Sequence, residues 1–258
     1  MRRLALIAAL VLAGCAPKPL TVCLDPNNLP FSNRAGQGFE NRLAALLAKE
    51  LGRPLQTVWW AQRRGFVRST VGADQCQIWP GVAAGIETLA TTRPYYRSSY
   101  VFVTREREPL AGLSLDDPRL RSLRLGVQLV GDDGSNTPPA QALARRGLIG
   151  NVRGFMVYGD YRRPSPSAAI VRAVASDTID VGLVWGPLAG YFAQRSAVPL
   201  RIEPVTPWLD DNRWPMAFDI SVGVSKADPK LREAIDGALA RRRGDIAKLL
   251  AEYGVPAA

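Results

Sequence analysis

Few residues in this chain have the types and spacing that chemistry demands. The 258-residue sequence contains no histidine, which removes histidine-based triads and histidine metal sites. No Gly-x-Ser-x-Gly elbow, phosphate-binding P-loop or dinucleotide fingerprint occurs in it. The run Asp132-Asp133-Gly134-Ser135-Asn136 is rich in oxygen donors but lacks the spacing and closing Glu of a calcium loop, so it reads as a turn. The adjacent acids Asp210-Asp211 would need a third group and a pocket to act catalytically, and the sequence supplies neither. These absences imply a protein that is not an enzyme, with no metal and no cofactor.

The three cysteines are more informative. Arg2 and Arg3 precede an unbroken apolar run from Leu4 to Ala13, too short to span a bilayer but suited to a signal-peptide core. The run ends in Leu12-Ala13-Gly14-Cys15, a lipobox pattern. The expected layout is a signal peptide over 1–14, Cys15 as the lipidated mature N-terminus, and a tether over 15–20. Ordinary secretion with cleavage a residue or two later is the alternative. Export leaves Cys23 and Cys76 as an even pair in an oxidising compartment, where a disulfide is expected; two buried thiols are the other option. No later apolar run approaches the 18 residues a membrane span needs.

The net charge is +10. In a cytosolic protein that balance would raise nucleic-acid binding, but the basic residues are scattered and export removes the polymer. An acidic protein partner or an anionic membrane surface fits better; an Arg-rich composition without a partner fits equally. Trp59, Trp60, Arg63, Arg64 and Arg68 cluster where a strand passes into a helix. Trp and Arg commonly dominate protein interfaces, so these five are candidate partner-binding residues, with core tryptophans and a solvated arginine face as the plain alternative.

The elements that must position these groups alternate as strand, helix, strand, which points to an α/β fold with parallel sheets covered by helices. Strands are expected at 20–24, 55–60 and 76–79, with a helix between whose apolar stripe is Phe39, Leu43, Leu46, Leu47 and Leu51. After an extended stretch at 100–104 a second unit begins, with strands at 123–129, 152–157 and 179–185 and helices at 138–146, 168–175 and 187–194. The chain then returns through a strand at 220–224 to a helix capped by Asp228 with Pro229 at its first position, and to a last helix that stops at Gly254. Two α/β units joined by two extended segments imply hinged lobes around a cleft, although composition alone does not separate this from a single doubly wound sheet.

From Leu20 to Pro256 the chain resembles the type II periplasmic solute-binding proteins, in the order of its elements and in Arg93-Pro94-Tyr95-Tyr96 entering the first hinge strand. More narrowly it resembles the accessory J proteins of bacterial methanol oxidation (MxaJ/XoxJ type). That likeness is carried by Asp25-Pro26-Asn27-Asn28-Leu29-Pro30-Phe31-Ser32-Asn33, Gln62-Arg63-Arg64-Gly65-Phe66-Val67-Arg68, Thr91 to Ser98, Gly126 to Leu129 leading into Gly131 to Gly134, Asn136 to Pro139, Tyr158 to Tyr161 and Trp185 to Tyr191. The resemblance implies two α/β lobes with mainly parallel sheets and a two-segment hinge: residues 21–105 and 207–258 as one lobe, 106–206 as the other. It also implies a periplasmic protein that partners a pyrroloquinoline-quinone (PQQ)-dependent alcohol dehydrogenase or its cytochrome c, anchored to the membrane by lipid. The alternative is a transport receptor for a small neutral or cationic solute.

On that fold the residues expected to face the cleft are Asp25, Asn27, Asn28 and Phe31, then Trp79, Arg93 and Tyr95 from the first lobe. Gln128, Asp132, Asp133, Asn136, Thr137, Asp160, Tyr161 and Trp185 are expected from the second. Core packing is an equal reading of Trp79 and Trp185, and turn-making of Asp25, Asn27 and Asn28. Amino-acid-binding members clamp the ligand carboxylate with an Arg fork and a helix N-terminus. Here Thr88 stands at a candidate Arg position and Asp132-Asp133 would repel an anion, so free α-amino acids are not expected ligands.

Overall fold

Short apolar segments bounded by Gly, Pro and Asx turns form the strands, and stretches with a 3.6-residue apolar period form the helices that cover them. The computed structural model describes residues 17–63, 65–130 and 136–257. The first unit holds β1 (Leu20–Leu24), the ribbon β2 (Asn27–Asn28) and β3 (Ser32–Asn33), α1 (Phe39–Glu50), β4 (Leu55–Trp59), α2 (Phe66–Ser69), β5 (Ile78–Ala83), β6 (Ala90–Thr91) and the long β7 (Tyr96–Arg105). The second holds β8 (Leu125–Leu129), α3 (Pro138–Arg145), β9 (Val152–Met156), α4 (Ala169–Ala175), β10 (Val181–Trp185), α5 (Gly186–Ala193) and β11 (Leu200–Pro204). A ribbon of β12 (Leu209–Asp210) and β13 (Trp214–Pro215) leads to β14 (Ala217–Val224), α6 (Pro229–Arg241) and α7 (Arg243–Glu252). Asp228 caps α6 by accepting from the Leu231 N–H at 3.0 Å, as its position before Pro229 implies.

Among the described residues the strands run β4-β1-β5-β14-β7-β10-β8-β9 across one ten-stranded sheet, with β6 on β14 and β11 on β7. The outer groups, β4-β1-β5 and β10-β8-β9, are parallel. The centre is not: β14 runs antiparallel to β5 and β7, and β7 antiparallel to β10 and β11. The sheet is mixed, which corrects the expectation of mainly parallel sheets. Parallel neighbours need a crossover helix, whereas β7 carries the chain out of the first lobe and β14 brings it back, so the two crossings lie side by side in opposite directions. β7 belongs to both lobes, with Tyr96 to Ser99 paired to β14 and Tyr100 to Thr104 paired to β10.

Each lobe has its own core. Phe39, Leu43 and Leu47 of α1 pack with Ile235, Leu239 and Ile246 around β1 and β14. The second lobe's part of the sheet is covered on one face by Leu115, Leu120 and Leu143 and on the other by Ile170, Val174 and Leu188. The ribbon at 209–215, counted with the first lobe in the sequence reading, packs instead on α3: Asp210 pairs with Arg145 and with Arg146 at 2.8 Å, and Met216 lies in the second lobe's core. Residue 210 is 3% exposed, and a carboxyl that deep needs its cationic partners nearby. Cys23 and Cys76 are bridged, their Cα atoms 5.6 Å apart on β1 and just before β5.

Candidate functional site

The cleft lies where the crossing strands leave one lobe and enter the other. Register sets Tyr96 opposite Ile220 and Tyr100 opposite Trp185, and these four side chains with Phe218 form its floor. They close a cavity of about 270 Å³ with Asn28, Phe31, Glu40, Gln62 and Gly81 from the first lobe and Gln128, Val157, Tyr158 and Leu188 from the second. The rings of Tyr100, Trp185 and Phe218 make a triangle with centroid separations of 5.3, 6.0 and 6.5 Å, every pair edge-on.

Glu40 is the only charged residue type among the described cavity-lining residues. It sits in the first turn of α1 on the face that buries Phe39, Leu43 and Leu47, and is 2% exposed. Its Oε2 is buried without a hydrogen-bond partner. Burial, with the neighbouring Asp25 adding to it, pushes the carboxyl up to about 8, because the ionised form has lost its water. Gly81 makes the placement possible: a Cβ there would lie 2.1 Å from Glu40 Oε1. Tyr95 and Tyr96, also near Glu40, are raised well above the ordinary phenol range by burial first.

A second set of contacts ties the lobes together at the cleft mouth. The Asp25 carboxyl accepts from the Asn27 N–H at 2.8 Å, the Gln62 N–H at 2.6 Å and the Tyr161 hydroxyl at 2.5 Å. Asn27 donates to the Arg163 carbonyl at 2.9 Å, and Ser167 to the Leu29 carbonyl at 3.1 Å. The Arg63 guanidinium lies 4.9 Å from the Tyr161 ring centroid, in cation–π range. Burial and the bond to Asp25 raise the Tyr161 phenol, so it stays a donor at neutral pH.

The structure distributes the sequence-predicted residues among several places. Asn28, Phe31, Gln128 and Trp185 line the cavity, and Gln128 Oε1 accepts from the Trp185 N–H at 2.9 Å. Asp25, Asn27 and Tyr161 form the mouth contacts. Thr137 supports Gln128 by donating to its carbonyl at 2.6 Å, and Asn136 Oδ1 is buried without a partner. Trp79 packs on Phe66 at 4.6 Å in the core beside the disulfide, away from the cavity. Arg93 and Tyr95 line a separate, smaller pocket of about 100 Å³ with Asp236, and Asp160 is paired with Arg162 at 2.9 Å. Of these four only Trp79 lies on a strand, while Arg93 and Tyr95 precede β7 and Asp160 lies in the loop after β9. Asp132 and Asp133 lie outside the described residues, as do Cys15 and Arg64. Of the Trp/Arg cluster, Trp60, Arg63 and Arg68 are exposed on one edge, while Trp59 is half-buried against the first core, with Arg34 over its ring at 5.5 Å.

Sequence reasoning missed Glu40, Gln62, Tyr96, Tyr100, Tyr158 and Phe218. Glu40 did leave a trace: an acid three and seven residues before Leu43 and Leu47 stands on the apolar stripe, where a charge is out of place. No group of three or more acidic or cysteine residues that could hold a metal occurs among the described residues. No described helix is long and apolar enough to cross a membrane.

No family model matches the chain. It is 32% identical over 272 residues to Protein MoxJ of Paracoccus denitrificans, covering 96% of this chain and 94% of that protein. It is 33% identical over 242 residues to Protein MoxJ of Methylorubrum extorquens, covering 88% and 78% respectively. Among solved structures, periplasmic binding protein XoxJ from Methylobacterium extorquens AM1 superposes with a TM-score of 0.75 at 36% identity, over 93% of this chain and 99% of that one.

Proposed function

The chain belongs to the MoxJ/XoxJ family, and from that premise we propose that it is a periplasmic, non-catalytic accessory protein of a PQQ-dependent methanol or alcohol dehydrogenase, acting by protein contact. The observation that carries this reading is the match to a MoxJ protein over 96% of this chain and 94% of the relative. The Cys23–Cys76 bridge suits an oxidising compartment. The cleft supports a role other than amino-acid capture, since no Arg or Lys is among the described cavity-lining residues to fork onto a carboxylate. Thr88 is exposed and outside the cavity.

In this proposal the dehydrogenase or its cytochrome c docks on the edge that carries Trp60, Arg63 and Arg68, with Trp59 and Arg64 in the same segment. Lipid on Cys15 would hold the protein at the membrane. A tagged copy purified from periplasm should bring the dehydrogenase with it, and added salt should weaken the pair, because exposed charges are screened over about 8–10 Å at physiological ionic strength. Trp60→Ala with Arg68→Glu, which leaves the Arg63–Tyr161 contact in place, should lower capture at least tenfold with the melting temperature unchanged. Capture that survives the double variant would move the interface elsewhere. Failure of the wild type to capture any dehydrogenase would favour a transport receptor, a reading to which the interlobe cavity with its buried carboxyl also lends itself.

A further inference from the structure

We propose that the interlobe cavity is a binding site for a small organic cation, with an alkylammonium group seated between the Glu40 carboxyl and the rings of Tyr100, Trp185 and Phe218. The inference stands apart from the dehydrogenase partnership, which concerns the outer edge of the first lobe.

Three independent features converge on this chemistry. The first is an orphaned acceptor: Glu40 lines the cavity, is 2% exposed, and keeps Oε2 buried with no partner. A buried polar atom without a partner is costly, and this one belongs to a residue that lines the cavity. The backbone approaches the group closely as well, since a Cβ at position 81 would lie 2.1 Å from Glu40 Oε1 and force the carboxyl to move. The second is the aromatic triangle on the floor, whose ring centroids are 5.3 to 6.5 Å apart. The rings pack edge to face on one another and line the cavity, and the π surface they leave toward it attracts an ammonium group through its quadrupole. The third is the lining itself. Its other polar side chains are the amides Asn28, Gln62 and Gln128 and the phenols of Tyr96, Tyr100 and Tyr158, and no cationic side chain is among the described lining residues. Arg63 is engaged at the mouth by Tyr161, and Arg97 pairs with Asp219 at 3.1 Å. An anionic ligand would find no counter-charge there, and a cationic one finds Glu40.

The ionisation of Glu40 provides the signature. The titratable groups facing it are Asp25 beyond β1 and Tyr95 and Tyr96 at the start of β7; β5 presents only the Gly81 backbone. In the free protein burial pushes the carboxyl up to about 8. A bound cation favours the ionised form, so binding releases a proton below that pH and affinity rises about tenfold per pH unit there, levelling above it.

The test is isothermal titration calorimetry of the whole mature protein with choline, and with the uncharged analogue in which carbon replaces the choline nitrogen, between pH 6 and 9. Saturable choline binding is expected, with quenching of the Trp185 fluorescence, proton release below pH 8, and no binding of the neutral analogue. Glu40→Gln should weaken choline at least tenfold and flatten the pH profile. Trp185→Ala should weaken it while leaving the pH profile in place, which keeps the test valid if the first variant folds poorly. Absence of choline binding at every pH, equal binding of the neutral analogue, or an unchanged pH profile in a folded Glu40→Gln protein would each overturn the proposal. None of these outcomes bears on whether the dehydrogenase is captured.

Discussion

The side chain that most distinguishes this cleft is Glu40. It is held on the buried face of α1 with a carboxyl raised from 4.5 to about 8. Between those two pH values the folded protein keeps a proton that the unfolded chain has released, so folding stability falls as pH rises through the window, by about 1.4 kcal/mol per pH unit at its steepest. Glu40→Gln keeps the shape of the neutral acid and removes the titration. The stability difference between variant and wild type, followed by urea unfolding from pH 5 to pH 8, should therefore grow with pH in favour of Gln by a few kcal/mol. A difference that stays flat would mean that the carboxyl finds solvent or a cation in the folded state. The same site explains the glycine beside it. Residue 81 has no backbone need for glycine, only a spatial one, because a methyl group would overlap Glu40 Oε1.

At the scale of elements, the first lobe depends on how β1 and β5 are joined. They are paired at only one position, Val22 with Ile78; the Gln77 N–H donates to the Thr21 carbonyl at 2.9 Å just before β5, and the Cys23–Cys76 bridge adds a covalent link. The bridge closes a segment with a sequence separation of 53, worth about 4 kcal/mol in the chain-entropy model. Cys23→Ser with Cys76→Ser should lose a similar amount in chemical denaturation, with the loss confined to the first lobe. Hydrogen exchange should then show α2 and β5 opening early while β8, β9 and β10 keep their protection. The crossing strands have a different task. By running antiparallel through the centre, β7 and β14 place residues from both lobes in one pleated surface, which is why Tyr96, Tyr100 and Phe218 share the cavity floor.

For the molecule as a whole, the contacts at the cleft mouth bridge the two lobes and are expected to hold them close. Tyr161 reaches across to Asp25 at 2.5 Å, and Asn27 to the Arg163 carbonyl at 2.9 Å. Tyr161→Phe removes the first of these and leaves Asp25 with its two backbone donors, Asn27 and Gln62. The closed form should be weakened by about 1–3 kcal/mol, the usual cost of removing a partner from a hydrogen-bonded carboxyl. Small-angle scattering should show a larger radius of gyration for the variant, with the melting temperature of each lobe little changed. An unaltered scattering curve would place control of the opening in the C-terminal segment instead. There Tyr253 of the first lobe stacks on Tyr191 of α5 at 5.6 Å, and Ser98 donates to the Pro256 carbonyl at 3.0 Å.

What the sequence determined by itself was whatever depends on local periodicity, turn chemistry and counting. The α/β order, the helix cap at Asp228-Pro229, the cysteine pair and the lack of histidine chemistry all follow from residues close in the chain or from composition. The long motifs around Asp25, Arg93 and Trp185 added the two-lobed family, and with it the mouth residues Asp25, Asn27 and Tyr161. Tertiary structure alone decided what lines the cleft. A strand shows its alternation but not which lobe's core each face will meet, so Trp79 went into the core beside the disulfide while Trp185 went to the cavity. The direction of the central strands was likewise invisible, because antiparallel pairing there follows from the chain crossing twice between lobes. Glu40 was the deepest omission, for a physical reason: an acid on a helix reads as solvated, and only the packing of α1 against Gly81 shows that its water has been taken away.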